Sequence, residues 1–399
     1  MNNSRPILSV FIDGLKPDSL KFMPFLGSLG YKRRMKTELG YSITCHSSMY
    51  TGVYPDKHKM WFLWQYSPET SPFRWMQQDR ILDWTNSLPL RYFVGKMTRL
   101  FSNNTSYAGV SIMKHSALKN WKYFDISEKK LWDEPGYIKD YNTVFDFMRN
   151  NEVSFDLVGL TNSKNDGGSL KHIQNYSVSD KVPRMTYLFI GELDCVSHFH
   201  GQESEPAREV LKNIDDEIER VYGQFKKKTG VEPLFMCWSD HGHMMIKHQF
   251  DIYEHFNKKG INLSDFIHII DTNFARFWFR NADERQLVTQ SCEDIPSGFF
   301  LEQQHFEKYH IQMPDRRYGD LIYYLDHPYM FKKTIWGYGL RTKSIHGYLP
   351  DYPEKDGVFV SNNPVVNQKH IELVDITPSL LELLGIKTTV TFDGKTIWK

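Results

Sequence analysis

The acids and histidines of this chain gather at the ends of short apolar runs. Asp240-His241-Gly242 follows Pro233-Leu234-Phe235-Met236-Cys237-Trp238, a run that reads as a buried strand. The backbone turns at a strand end, so an adjacent carboxylate and imidazole can converge there and make half of a metal site. The same tripeptide is also a good turn, so its chemistry depends on matching ligands elsewhere. The run Ile7-Leu8-Ser9-Val10-Phe11-Ile12 ends at Asp13-Gly14, and a third run, 186–191, ends at Glu192-Leu193-Asp194. His198 follows Asp194 at the i+4 position, and His346 sits in the glycine-flanked stretch Ile345-His346-Gly347-Tyr348. Three acids gathered at neighbouring strand ends repel one another unless cations lie between them. Mixed Asp/His ligation favours zinc or manganese over calcium or magnesium.

Elements of alternating type must position these groups. The spacing predicts helices over 17–29, 143–149, 206–228 and 372–385, the last stopped by Gly385. Val210, Leu211, Ile214, Ile218 and Val221 give 206–228 one apolar face. A further strand is expected at 320–325. Strands alternating with helices imply an α/β fold with a mostly parallel central sheet covered by helices on both faces. The stretch 61–137 breaks the pattern, crowding Trp61, Phe62, Trp64, Tyr66, Phe73, Trp75, Trp84, Tyr92 and Phe93 among Pro, Asn and Ser. It reads as an inserted cap over a core formed by 1–60 and 138–399. Its aromatic residues either stack on a substrate or pack a second small core.

With 399 residues, 49 basic and 48 acidic side chains and a net charge of +1, the chain has no electrostatic case for nucleic acid as a partner. No apolar run is long enough to span a bilayer. The four cysteines, Cys45, Cys195, Cys237 and Cys292, are widely spaced and lack a Cys-x-x-Cys pair, which fits a reducing compartment. The polar start Met1 to Pro6 lacks a signal-peptide pattern, and a cytoplasmic location is expected.

Taken in order, these motifs resemble the alkaline phosphatase superfamily, and within it the nucleotide pyrophosphatase/phosphodiesterase branch. The resemblance runs from the opening strand through 42–55, Asp194 to His198, Ser239 to Gly242, 319–326, and from His346 to the C-terminus. It implies one metal held by Asp194, His198 and His346. It implies a second held by Asp13, Asp240, His241 and the nucleophile. In that branch the nucleophile stands nine residues before the Thr of a Thr-Gly-x-Tyr-Pro motif. Here the motif is Thr51-Gly52-Val53-Tyr54-Pro55, and the position is Ser42, with His46 matching the family's His four residues on. A hydroxyl at a helix N-terminus sits in positive potential, which also suits a nucleophile. Its ordinary role there is an N-cap. Thr44 is the runner-up. His200 and His243 lie beside the motifs at unmatched positions and are expected outside the ligand set or at the surface.

Two departures bear on substrate. The branch places an Asn five residues after the His of Tyr54-Pro55-Asp56-Lys57-His58 to hold a phosphate oxygen, and this chain has Leu63. The segment Ser42-Ile43-Thr44-Cys45-His46 has neither the Pro nor the Arg of a sulfatase motif, and Ile43 replaces the Arg of true alkaline phosphatases. The expected function is a two-metal phosphohydrolase that cleaves phosphodiester or pyrophosphate bonds through a phosphoserine. Its substrate would be a small phosphorylated molecule such as a nucleotide or nucleotide-sugar. A phosphomonoesterase or phosphotransferase of the same superfamily, and a non-catalytic metal-stabilised binding protein, are the alternatives.

Overall fold

The computed structural model describes residues 5–77, 89, 93–94, 96, 113–159, 168–337, 341–366 and 370–399. Its centre is a seven-stranded sheet in the order His370–Glu372, Tyr31–Lys36, Gly357–Ser361, Leu234–Trp238, Ile7–Ile12, Met185–Ile190, Phe155–Val158. Pairing is parallel except on the two sides of Gly357–Ser361, which runs against both neighbours. The sheet is therefore mostly parallel, as the alternation of elements predicts.

Side chains on the central strands alternate between two apolar layers, as the two-residue period of a strand requires. Ile7 and Phe11 join Tyr187, Met236 and Trp238 on one face. Leu8, Val10 and Ile12 join Leu188, Phe235 and Cys237 on the other. Every residue of Ile7–Ile12 and Leu234–Trp238 is buried, which explains why both read as continuous apolar runs. The helix Glu205–Thr229 covers the second face with Ala207, Leu211, Ile214, Ile218, Val221 and Phe225. Ser204 caps its first turn, accepting from Ala207 N, and Gly230 ends it with a φ of 72°. Ser42–Thr51, Val144–Asn150 and Ile376–Leu384 contribute buried side chains to the first face.

The element map departs from expectation in three places. The expected helix over 17–29 is a 3-10 turn, Pro17–Phe22, and a short α-helix, Pro24–Ser28, separated at Met23 by the prolines that open each. The C-terminal helix starts at Ile376 after a 3-10 turn. The strand Leu321–Leu325 belongs to a second, four-stranded antiparallel sheet in the order Ile267–Ile270, Phe274–Trp278, Leu321–Leu325, Gly298–Phe300.

That second sheet receives much of the aromatic stretch. Trp61 and Phe62 pack with Phe274 and Tyr318, while Trp64, Phe73, Trp121 and Phe124 pack with Trp278. Trp61 is 1% exposed and Trp64 3%. Trp84 and Tyr92 lie outside the described residues. Among the described residues no helix is long and apolar enough to cross a membrane.

Candidate active site

Strand register brings the acids to one edge of the main sheet. Ile12 pairs with Ile190 and Phe11 with Trp238, so three neighbouring strands end level. Asp13 follows the first directly, and its N–H donates to the Ile190 carbonyl at 2.8 Å. Asp240 lies two residues beyond the third. Asp194 is not at a strand end: it sits in the first turn of the helix Glu192–His200, which begins just after the strand. That placement puts His198 one turn on, with its Nε2 3.4 Å from Asp194 Oδ1.

The ligand atoms form a contiguous cluster. His241 Nε2 lies 3.4 Å from Asp13 Oδ1 and 3.3 Å from Asp240 Oδ2. Asp240 Oδ1 is occupied by the backbone N–H groups of His241 at 3.0 Å and Gly14 at 3.5 Å, while Oδ2 has no hydrogen-bond partner. Asp13 Oδ1 is likewise buried without one. His346 Nε2 lies 3.6 Å from Asp194 Oδ1. His198 Nδ1 is 3.0 Å from the Ser344 carbonyl. A carbonyl only accepts, so Nδ1 carries the proton and the Nε2 lone pair faces Asp194. Three overlapping sets result: Asp13, Asp240 and His241; Asp194, His241 and His346; and Asp194, His198 and His243.

Electrostatics show what this cluster needs. Burial, reinforced by Asp240 and Asp194, pushes Asp13 well above the usual carboxylate range. Burial, with Asp194, does the same to Asp240 despite its backbone hydrogen bonds. Burial also pushes Asp194 up, but the imidazoles around it, with His243 Nε2–H donating to Oδ1, outweigh burial and hold its carboxyl low. Burial keeps His241, His346 and His198 neutral, with pKa values below the ordinary imidazole range. Neutral imidazoles, unpartnered carboxylate oxygens and mutually repelling acids form a donor set that divalent cations fit.

Ser42 opens the helix Ser42–Thr51 at its first position; Tyr41 is the N-cap residue and makes no side-chain cap. Ser42 is thus not an N-cap, and its Oγ lies 3.4 Å from His241 Nε2. Thr44, the runner-up, is fully buried and its hydroxyl is committed to the Trp61 carbonyl at 2.5 Å. Tyr41 fixes the entry to the helix. Its hydroxyl meets Thr272 Oγ1 at 2.7 Å and Asn273 Oδ1 at 2.8 Å, and Asn273 Nδ2 donates to the Gly347 carbonyl at 2.8 Å. His46 packs edge-on against Phe11 and Trp132 with Nε2 3.9 Å from Asp240 Oδ2; burial lowers its pKa to about 3.

His243 is the residue that the motifs understate. It is 4% exposed, and its Nε2 is 2.9 Å from Asp194 Oδ1, the shortest imidazole contact of that carboxylate. The signal lay in its spacing, two residues from His241. His200 is exposed, as expected.

Comparison with known proteins agrees with this geometry. The family model described as type I phosphodiesterase / nucleotide pyrophosphatase matches residues 7–349, a span that holds every residue of the cluster. Human ectonucleotide pyrophosphatase / phosphodiesterase 5 superposes with a TM-score of 0.68 at 13% identity, covering 98% of this chain and 97% of that chain. An inactive variant of the murine protein in complex with AMP superposes with a TM-score of 0.67 at 12% identity, covering 98% of each chain. No curated protein sequence matches this chain. The structural likenesses carry the fold, an alkaline phosphatase-like α/β architecture. The family model carries the membership: the chain belongs to the type I phosphodiesterase / nucleotide pyrophosphatase family, hydrolases of phosphoester bonds.

Proposed function

We propose that this hydrolase uses two divalent cations and a phosphoserine formed on Ser42 to cleave phosphodiester or pyrophosphate bonds of a nucleotide-type substrate. The observation that carries the reading is the convergence of Asp13, Asp240 and His241 with Asp194, His198 and His346 beside the Ser42 hydroxyl. Asp13, Asp240, His241 and Ser42 would hold one cation, and Asp194, His198 and His346 the other. Zinc suits the three acids and three imidazoles best, with manganese as the alternative. Bound there, the cations supply Lewis acidity that offsets charge on the phosphoryl oxygens.

The chain's own groups supply the rest. Ser42 Oγ attacks phosphorus and loses its proton, the leaving-group oxygen departs, and water later cleaves the phosphoserine. The positive end of the Ser42 helix favours the deprotonated hydroxyl and the incoming anion. A nucleotide is supported by the family and by the AMP complex of the murine relative. We further propose that 61–137 acts as the cap beside this site. Four free cysteines support a reducing, cytoplasmic setting.

A monoester reading has one observation in its favour. Leu63 packs into the cluster around Trp64, Trp121 and Trp278, so this position offers no polar side chain to a non-bridging oxygen. Turnover of matched aryl phosphate mono- and diesters, with metal content measured alongside, separates the readings. Faster diester turnover that is lost in Ser42→Ala supports the proposal. Diester turnover that survives in Ser42→Ala overturns it.

A further inference from the structure

Lys355 is fully buried, yet its ammonium is answered by carbonyls and not by a carboxylate. Its Nζ donates to the Glu38 carbonyl at 3.4 Å and to the Tyr348 carbonyl. Its own carbonyl accepts the Gly242 N–H at 2.7 Å. Each contact falls beside a different part of the cluster. Glu38 stands four residues before Ser42, Tyr348 two residues after His346, and Gly242 directly after His241.

Each partner is itself held. The Glu38 side chain accepts from Ser48 Oγ at 2.6 Å, and Ser48 rides on the Ser42 helix. Ser48 Oγ also meets His58 Nε2 at 2.9 Å. Because Met60 N–H donates to His58 Nδ1 at 3.0 Å, Nε2 carries the proton and donates to Ser48. Gly242 lets the Lys355 segment and Lys16 pack close: a Cβ there would stand 2.9 Å from Lys16 Cβ, 3.1 Å from the Glu354 carbonyl oxygen and 3.3 Å from that of Asp356. An apolar residue at 355 would avoid burying an ammonium, but it would leave two carbonyls without this donor.

We propose that Lys355 is a positioning residue that sets the Ser42, His241 and His346 segments at the spacing that two-cation chemistry needs. The inference rests on the metal centre proposed above. The lysine touches neither the reacting hydroxyl nor a ligand atom; it acts through the three backbones that carry them.

Lys355→Met keeps the length and removes the donor. Zinc-loaded wild type and variant are compared in kcat, KM and the rate at which a chelator strips zinc. Outer partners of metal ligands typically contribute 10–100-fold, so kcat falls by ~10-fold or more, zinc leaves ~10-fold faster, and KM stays within about twofold. Equal kcat and equal zinc loss in a folded variant overturn the inference. If the variant does not fold, hydrogen exchange on wild type decides. Amides of 38–42, 347–349 and 355–357 gain protection together when zinc is added, and an unchanged 355–357 overturns the inference. A wild type that binds no zinc removes the metal-centre reading itself, which distinguishes that failure from a failure of the lysine's role.

Discussion

The rings of His241 and His346 lie face to face, with centroids 3.8 Å apart and planes 9° from parallel. The two imidazoles belong to different proposed ligand sets, so their stacking places the two sets side by side. The contact draws together a loop at the end of a main-sheet strand and a loop beside the second sheet.

Ser42→Ala is expected to lower kcat for an aryl phosphodiester by roughly a thousandfold or more, because the proposed covalent step is lost. Zinc content measured by elemental analysis stays near wild type, since six other proposed ligands remain. A variant that loses both metal and activity would mark Ser42 as a structural ligand only.

His243→Gln tests the contact with Asp194 Oδ1. His243 shares that oxygen with His198 and His346, and a partner that orients a proposed metal-ligating carboxylate is worth about 10–100-fold in metal affinity or activity, so a loss in that range is expected. Zinc competition against a coloured chelator reads it directly.

Without the proposed cations, Asp13, Asp194 and Asp240 face one another. Cations that bind only the folded chain stabilise it by about 4 kcal/mol at a thousandfold excess over Kd. Thermal unfolding with and without chelator should show the midpoint fall on stripping and recover on adding zinc or manganese.

Acid should destabilise the fold through histidines outside the cluster. Burial lowers His58 from 6.5 to about 3 and His268 from 6.5 to about 4. Each is neutral in the folded chain and protonates near 6.5 once unfolded. Its contribution is complete above pH 6.5 and is lost as pH falls toward its folded value. By pH 5 the loss is roughly 2 kcal/mol per histidine. Urea unfolding of metal-free protein at pH 7 and pH 5 checks this, and His58→Gln should flatten the difference.

Trp61→Ala separates packing from substrate stacking. Removing a buried Trp from the cluster with Phe62, Phe274 and Tyr318 should cost about 3–5 kcal/mol of stability. Trp75, 61% exposed, should tolerate Ala with little loss. Unfolding curves for the two variants provide the comparison.

The legible parts of the chain are those with strong local signals. Ile7–Ile12 and Leu234–Trp238 are buried on both faces, so they appear as unbroken apolar runs that end where Asp13 and Asp240 follow. The helix Glu205–Thr229 shows its apolar stripe, its Ser204 cap and its Gly230 stop. The antiparallel sheet is less legible because its strands, Ile267–Ile270 and Phe274–Trp278 among them, are short and form their pairs through tertiary contacts. Asp194 appears to follow a strand because its helix begins only two residues beyond Ile190. Lys355 gives no local signal, since its contacts are to backbone atoms and those to Glu38 and Gly242 lie far along the chain.

The position of Gly357–Ser361 also bears on how the protein is made. This late strand lies between Leu234–Trp238 and Tyr31–Lys36, antiparallel to both. Until it is synthesised, two earlier strands each expose an unpaired backbone edge, a state prone to pairing with other chains. The long sequence separation makes closure slow. A ribosome stalled before residue 357 would therefore hold a chain with Asp13, Ser42, Asp194, Asp240, His241 and His346 already made but with Tyr31–Lys36 still unpaired on both edges.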